Sequence, residues 1–238
     1  MRTFILAGGL GTRLRDVTGE APKSMAQVAG RPFLAYLLLQ LRRDGFRDVV
    51  VLTGYGADAI ERYFGTGGSL GVDITYSREP LPLGTGGALR LAATRSPGER
   101  YLVMNGDSFL DIHVDALVHA HRSAVARGAV ATVALARVPD AARFGTVEID
   151  ARGTVTRFVE KSAGSRGDIN AGIYVLEASV IEAIEPDRPV SLEREILAGL
   201  VGRGLMGIPY EAAFADIGVP ESYRALCADP EPLIAASS

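Results

Sequence analysis

Short apolar runs alternate with amphipathic segments through the first half of the chain. The runs at 4–6 and 48–53 are typical of buried strands. Between them, a helix is predicted to open at Arg31-Pro32, with Pro at a favoured first-turn position and apolar residues at helical spacing beyond it, and Gly45 is a natural helix stop. The same patterns predict further strands over 72–76, 101–104 and 129–136, and helices over 57–64, 86–94 and 115–127, the last with Asp115 as N-cap. This order predicts a mixed, mostly parallel sheet with helices on both faces, a Rossmann-like α/β fold.

The second half of the chain has a different order of predicted elements. Two strand-like runs joined by Ala151-Arg152-Gly153 predict a β-hairpin, expected as a small extension of the fold that serves sugar binding. Beyond it the pattern predicts strands over 173–176, 207–209 and 212–215 and helices over 178–184, 192–200 and 220–228. We expect a single domain over 1–228 and a disordered tail over 229–238, which is rich in Pro, Ala and Ser.

Composition removes several classes of protein. The 238 residues carry a formal charge of −3 without any Lys/Arg run, so a nucleic-acid surface is not expected. The single cysteine, Cys227, excludes an internal disulfide framework and suits a reducing cytosol. No apolar stretch approaches the length of a membrane span, so we expect a cytoplasmic protein without a membrane partner.

The loop after the first strand contains Gly8, Gly9 and Gly11, followed by Arg13. Successive N–H groups of such a loop form an anion-binding concavity, and a guanidinium suits phosphate oxygens. The loop is not a P-loop, because no Gly-Lys-Ser/Thr follows it. It is not a dinucleotide fingerprint, because Leu14 stands at the last glycine position. Taken alone, the loop also fits a structural turn.

Two aspartates are candidate metal ligands. Asp107 directly follows a predicted buried strand, and Asp216 lies between apolar residues. A carboxylate at the end of a strand suits a hard cation such as Mg²⁺, and a buried carboxylate needs a cation or donor partner. A turn aspartate and a structural ion pair are the alternatives. The three histidines lack zinc-ligand spacing, and no Ser/His/Asp arrangement is recognisable.

Further polar positions follow predicted strands and should meet at one rim of the sheet. Lys23 can reach a transferring phosphate, and Glu79 can accept from the N–H donors of a base. A second glycine-rich loop around Gly84 and Thr85 would let a flat group lie against the backbone, or would simply be a flexible connection. Glu160-Lys161 is a candidate contact pair or a surface pair, and Asn170 with Gly172 is a candidate sugar-hydroxyl site or a turn.

Taken together, these motifs resemble the sugar-1-phosphate nucleotidyltransferases. The resemblance spans roughly 1–228 and is greatest to the D-glycero-D-manno-heptose 1-phosphate guanylyltransferase branch, with mannose-1-phosphate guanylyltransferases and N-acetylmuramate-1-phosphate uridylyltransferases nearby. It rests on seven motifs in family order, namely 6–14, Pro22-Lys23, 82–88, Asn105-Gly106-Asp107, Glu160-Lys161, 170–174 and Asp216-Ile217-Gly218.

The resemblance implies a nucleotide-binding α/β fold and a reaction in which a sugar 1-phosphate oxygen attacks the α-phosphorus of an NTP. It implies that Arg13 and Lys23 are catalytic, holding the leaving pyrophosphate and the α-phosphate, and that Asp107 and Asp216 bind Mg²⁺. It implies nucleotide binding by Leu6, Ala7, Gly8, Gly9, Gly11, Thr12, Glu79, Gly84, Thr85 and Asn105. It implies sugar-phosphate binding by Gly106, Glu160, Lys161, Asn170 and Gly172. One departure is Ser24, where many relatives have proline after the lysine.

Two other classes of protein fit the sequence less well. A non-catalytic nucleotide-sugar sensor would be expected to lose Asp107, Asp216, Lys23 or Arg13, and all four are present. A Rossmann oxidoreductase would need a glycine at position 14. An acceptor at Glu79 favours GTP, since guanine presents N1–H and N2–H donors. UTP, CTP and dTTP stay open as alternatives, as do mannose 1-phosphate in place of the heptose and self-association of the chain.

Overall fold

Thirteen strands and seven α-helices are found in the part of the chain that the structure describes. The computed structural model describes residues 1–9, 11–14, 19, 21–159 and 166–235. Its strands are β1 (Arg2–Leu6), β2 (Gln27–Val28), β3 (Arg31–Pro32), β4 (Asp48–Thr53), β5 (Asp73–Arg78), β6 (Arg100–Asn105), β7 (Ser108–Leu110), β8 (Ala131–Val138), β9 (Thr146–Ile149), β10 (Val155–Val159), β11 (Gly167–Glu177), β12 (Leu205–Tyr210) and β13 (Phe214–Asp216). Its helices are α1 (Phe33–Arg43), α2 (Ala57–Phe64), α3 (Gly84–Arg95), α4 (Val114–Val125), α5 (Ala178–Glu182), α6 (Pro220–Ala228) and α7 (Glu231–Ala235), with a π-helix over Leu192–Leu197.

A seven-stranded sheet forms the centre, in the order β12-β8-β11-β6-β1-β4-β5. β1 pairs in parallel with β4 and β6, β4 with β5, and β12 with β8. Only β11 runs antiparallel to its neighbours β6 and β8 among the described strands of this sheet. The predicted mixed, mostly parallel sheet is therefore confirmed, and the predicted hairpin is the antiparallel pair β9–β10.

The sheet carries a hydrophobic core on each face. On one face, the leucines of α1 pack with Leu117 of α4, and Tyr36 donates a hydrogen bond of 2.8 Å to the carbonyl of Val28. On the other face, Leu89 of α3 packs with Leu192 and Leu197 of the π-helix. Because helices cover both faces, the open part of the sheet is the edge where the strands end. Ligands of open α/β sheets bind at that edge.

Two predicted helix starts are wrong, for identifiable reasons. The first helix begins at Phe33 rather than at Arg31-Pro32, because those two residues pair with β2 and Pro32 is extended, with φ −59° and ψ 144°. Asp115 is not the N-cap of α4, which begins at Val114 after His113. Its cap comes from another element, since the carboxylate Oδ2 of Asp44 accepts from the Val114 N–H at 2.7 Å.

The C-terminal segment contains more structure than its composition suggests. Residues 231–235, within the expected disordered tail, form α7, and Leu233 is fully buried. Burying this leucine offsets the entropy of ordering a short segment. Residues 236–238 lie outside the described part. Across the described chain, no helix combines the length and apolar character required to cross a bilayer.

Candidate nucleotide and sugar-phosphate site

A cavity of about 390 Å³ opens at the carboxyl edge of the sheet, beyond the ends of β1, β4, β5 and β6. It brings together most of the residues to which the sequence assigns nucleotide or phosphate contacts. Those on its wall are Leu6, Ala7, Gly8, Gly9, Lys23, Glu79, Gly84, Thr85, Asn105, Gly106 and Asp107. The predicted convergence of the strand-end loops on one rim is therefore observed for these residues.

The first glycine loop lies close to its neighbours because its residues lack side chains. A Cβ on Gly8 would lie 3.0 Å from Glu79 Oε1 and 3.2 Å from the Gly54 nitrogen. Gly11 has φ +58°, and a Cβ there would lie 3.0 Å from Lys23 Cβ. At Gly9, by contrast, a Cβ would meet no atom of the described chain within 4 Å. The loop thus packs tightly on both sides and leaves open space at Gly9.

Lys23 and Asp107 form an ion pair inside the cavity. Lys23 Nζ lies 2.6 Å from Asp107 Oδ2, and the lysine side chain is 16% exposed. A one-turn helix over Lys23–Met25 fixes the lysine, since Ala26 N–H donates to the Lys23 carbonyl at 3.0 Å. Ser24, the residue after the lysine, is buried within that turn. The turn therefore holds Lys23 without a proline.

Asp216 is brought beside Asp107 by strand pairing. In the antiparallel pair β13–β7, Asp216 lies opposite Ser108, and Ile217 N–H donates to the Asp107 carbonyl at 3.0 Å. Burial raises the pKa of Asp216, and the negative charge of Asp107 raises it further against the opposing charge of Lys23. Arg143 Nη2 also lies 3.1 Å from Asp216 Oδ1. Two carboxylates so placed can hold a hard divalent cation, which would relieve their repulsion.

Glu79 forms the wall of the cavity at the β5 end. Its Oε2 accepts from the Leu83 N–H at 2.9 Å, and its Oε1 lies where a Cβ on Gly54 would approach to 2.5 Å. Burial raises the pKa of Glu79, opposed by the Leu83 hydrogen bond. A half-buried carboxylate in this position can accept hydrogen bonds from a ligand that enters the cavity.

The second glycine loop has a packing role that the sequence does not reveal. Gly84 has φ +67°, and a Cβ there would lie 2.5 Å from the Val190 carbonyl oxygen. Gly86 N–H donates to that carbonyl at 2.8 Å. Thr85 Oγ1 donates to Glu193 Oε2 at 2.9 Å and accepts from the Leu192 N–H at 2.7 Å. The loop therefore joins α3 to the π-helix, and the nucleotide contacts of Gly84 and Thr85 stay predictions.

Asn170 and Gly172 form an irregularity in β11 beside the cavity. Asn170 Oδ1 accepts from the Gly172 N–H at 2.9 Å, and its Nδ2 donates to the Tyr174 hydroxyl at 2.9 Å. Gly172 has φ +78°, and a Cβ on it would lie 3.0 Å from Asn105 Nδ2. Asn105 Oδ1 is buried without a hydrogen-bond partner among the described residues. The amide of Asn170 is thus satisfied internally, whereas Asn105 offers a free acceptor.

Some predicted site residues do not line the cavity. Arg13 is exposed on the one-turn helix Thr12–Leu14 beside the loop. The Thr12 side chain, Glu160 and Lys161 lie outside the described residues, so their predicted roles are untested. Glu193 also lines the cavity, although no pattern in the sequence predicts it there. Its Ser-Leu-Glu-Arg-Glu context carries no motif, because only the docking of the π-helix onto α3 brings this carboxylate to the cavity.

A second group of metal-ligand side chains has another explanation. Asp44, His113 and Asp115 lie close enough to share an ion. Asp44 Oδ1, however, already lies 3.0 Å from Arg43 Nε and 3.0 Å from His113 Nδ1, while its Oδ2 caps α4. Despite burial, which opposes it, the Arg43 and Val114 hydrogen bonds hold the pKa of Asp44 below its usual value. This carboxylate caps a helix and pairs with a guanidinium.

Comparison with known proteins identifies relatives along nearly the whole chain. Residues 2–230 match the family model described as nucleotidyl transferase. A D-glycero-alpha-D-manno-heptose 1-phosphate guanylyltransferase of Aneurinibacillus thermoaerophilus is 36% identical over 225 residues, which cover 94% of this chain and 96% of that protein. A mannose-1-phosphate guanylyltransferase of Mycobacterium tuberculosis is 39% identical over 92% of this chain, which spans 61% of that protein.

A solved structure also matches this chain along nearly its whole length. HddC from Yersinia pseudotuberculosis superposes with a TM-score of 0.84 and 31% identity, over 95% of this chain and 98% of that one. HddC has also been solved in complex with GMP-PN. The match of the family model along nearly the whole sequence, over residues 2–230, shows that the chain belongs to the nucleotidyl transferase family.

Proposed function

We propose that this protein transfers a guanylyl group from GTP to a sugar 1-phosphate, with D-glycero-α-D-manno-heptose 1-phosphate as the acceptor, and releases pyrophosphate. The observation that carries the proposal is the convergence of the glycine loop, Lys23, Asp107 and Asp216 at one edge of the sheet. Relatives with the heptose activity match this chain over almost their entire length, and the guanine nucleotide bound by HddC supports the choice of GTP.

The reaction requires positioning and charge neutralisation rather than a protein nucleophile. A phosphate oxygen of the sugar 1-phosphate attacks the α-phosphorus in line, and the bond to the β-phosphate oxygen breaks. The N–H groups of Gly8, Gly9 and Gly11 would cradle the phosphates. Lys23 would turn from Asp107 to the α-phosphate, where its charge stabilises the transition state, and Arg13 would hold the departing pyrophosphate.

Asp107 and Asp216 fit a divalent cation, and we assign Mg²⁺ to them. Their carboxylates are hard oxygen ligands, and the raised pKa of Asp216 reflects a partly buried anion that lacks sufficient cationic compensation. When bound, the ion would neutralise phosphate charge and orient the phosphate oxygens. With the ion on these two aspartates, the phosphates would lie between the glycine loop and the end of β6.

The base and the sugar would lie on opposite sides of the phosphates. Glu79, at the β5 end, would accept from N1–H and N2–H of guanine, which uracil and thymine cannot both offer. Gly106, Asn170 and Gly172, at the β6–β11 side, would contact the sugar phosphate, together with Glu160 and Lys161. Mannose 1-phosphate is the second candidate acceptor, because a relative named for that substrate has the higher identity of 39%.

Pyrophosphate release from a matrix of substrates tests the proposal. The purified protein with Mg²⁺ would receive each of the five NTPs with heptose, mannose, glucose or N-acetylmuramate 1-phosphate. We expect release with GTP and the heptose, and its loss in Asp107→Asn. Asp115→Asn is the matched control, since Asp115 is exposed on α4 and should leave turnover unchanged. Release with another pair would replace the proposed substrates, and release with none would refute the enzymatic function.

A further inference from the structure

Glu193 is a cavity residue to which the family motifs quoted above assign no role. It lies in the π-helix Leu192–Leu197, which follows Ser191 and packs against α3. The wider turn of a π-helix moves a side chain out of α-helical register and is frequent at functional sites. Here it places a half-buried carboxylate on the wall of the cavity that also contains Lys23 and Asp107.

The carboxylate of Glu193 is held from one side only. Its Oε2 accepts from Thr85 Oγ1 at 2.9 Å and from Ser191 Oγ at 3.3 Å. No hydrogen bond to Oε1 is found within the part of the chain that the structure describes. Two hydroxyl donors thus fix the orientation of the side chain and leave one oxygen free to accept from a ligand. Such preorganisation lowers the entropy cost of binding.

The surroundings of Glu193 identify the side of the cavity that it serves. Burial raises the pKa of the Tyr174 hydroxyl well above its usual value, and the nearby charge of Glu193 contributes to that shift. Tyr174 in turn bonds Asn170, and Gly172 packs against Asn105. Leu192, the residue before Glu193, also packs in the same hydrophobic cluster as Tyr174. Glu193 therefore lies toward the β11 side of the cavity, where its partner Thr85 stands at the start of α3.

We propose that Glu193 is a specificity-determining residue that accepts hydrogen bonds from hydroxyl groups of the sugar 1-phosphate. Asn105 Oδ1, buried without a partner among the described residues, is a second acceptor on the same side of the cavity. A hydrogen-bond acceptor that has no donor partner suits a hydroxyl group, which can donate to it. Because a carboxylate would repel the phosphate, Glu193 contacts the hydroxyl groups of the sugar rather than its phosphate. This inference rests on the proposed function, because it names the residue that selects the sugar.

The test compares Glu193→Gln with Glu195→Gln. Both changes remove one charge from the same π-helix, but Glu195 is exposed and accepts from the Ser191 N–H at 2.7 Å. We expect E193Q to raise the KM for the sugar 1-phosphate by about 10- to 100-fold, the loss expected for a charged hydrogen bond. The KM for GTP should stay within about twofold, and E195Q should change neither constant.

Equilibrium binding separates this inference from the proposed reaction. Calorimetry would titrate mannose and heptose 1-phosphates into each variant with Mg²⁺ and a GTP analogue that cannot be cleaved between its α- and β-phosphates. Equal affinity of wild type and E193Q would overturn the inference even where turnover proves the reaction, and so would a KM increase confined to GTP. If E193Q folds poorly, Glu193→Asp retracts the carboxylate at constant charge and should weaken sugar binding alone. Absence of sugar 1-phosphate binding to the wild type would overturn both proposals.

Discussion

Gly106 is a position where one added carbon should damage the site. A Cβ on Gly106 would lie 2.5 Å from the Leu6 carbonyl oxygen and 3.4 Å from Ala7 Cα, both of them backbone atoms. Gly106 N–H also donates to that carbonyl at 2.9 Å. Because a backbone cannot move aside as a flexible side chain can, Gly106→Ala must separate the end of β6 from the end of β1.

The cost of this separation can be estimated. Forcing a methyl group into close-packed structure costs about 1–3 kcal/mol, and weakening one hydrogen bond costs about 0.5–1.5 kcal/mol. A total loss of roughly 2–4 kcal/mol in free energy of unfolding corresponds to a Tm decrease of about 4–16 °C for a domain of this size. The shift would also move Asp107, the next residue, relative to Lys23.

Thermal unfolding of G106A beside Gly68→Ala provides the assay. Gly68 has no atom of the described chain within 4 Å of a Cβ position, so its substitution should leave Tm within about 2 °C. We expect G106A to lose turnover as well, even below its Tm. A G106A protein with the Tm and turnover of the wild type would refute the contact between the two strand ends on which the site is built.

Three further predictions concern the charged residues. Lys23→Met should lower kcat by about 10²- to 10³-fold, the loss typical of removing one transition-state donor, and should leave the circular dichroism spectrum unchanged. A kcat near that of the wild type would exclude Lys23 from the chemistry. Asp216→Asn should abolish turnover yet raise Tm at pH 7 in EDTA. A carboxyl group whose pKa is raised in the folded state makes the protein less stable as pH rises above about 3.9. The gain in Tm should therefore vanish below about pH 4, and an unchanged Tm at pH 7 would contradict the prediction. Asp44→Ala should lower the free energy of unfolding in urea by about 1–3 kcal/mol at pH 7, because this 1% exposed side chain caps α4. The pKa of Asp44 is lowered in the folded state, so the difference from wild type should persist above about pH 4 and shrink as pH falls through that pKa.

The sequence was informative where local pattern alone decides structure. Helices 57–64 and 220–228 have the predicted bounds, as does the strand at 48–53, because apolar spacing and flanking Gly or Pro define them. The start of α4 was missed because its capping carboxylate, Asp44, is distant in sequence. A helix cap that comes from another element leaves no trace beside the helix it stabilises.

In the candidate site, too, some residues could be predicted from the local sequence and others could not. The glycine loop and Asp107 follow strands, so the rule for strand ends located them in advance. Asp216 was singled out as an apolar-flanked carboxylate, but only the pairing of β13 with β7 brings it beside Asp107. Glu193 could not be found, since its place depends on how the π-helix docks on Gly84 and Thr85. Positions fixed by contacts between distant segments require the three-dimensional structure.

The most direct test of the central claim follows the α-phosphorus of GTP. The protein would be incubated with Mg²⁺, heptose 1-phosphate and GTP labelled at that atom. The products would then be separated and identified by mass spectrometry. Nucleotidyl transfer predicts that the label enters a GDP-sugar carrying one phosphate from each substrate, with unlabelled pyrophosphate released in equal amount. Label recovered only as GMP or GDP, with the sugar 1-phosphate unchanged, would contradict the account.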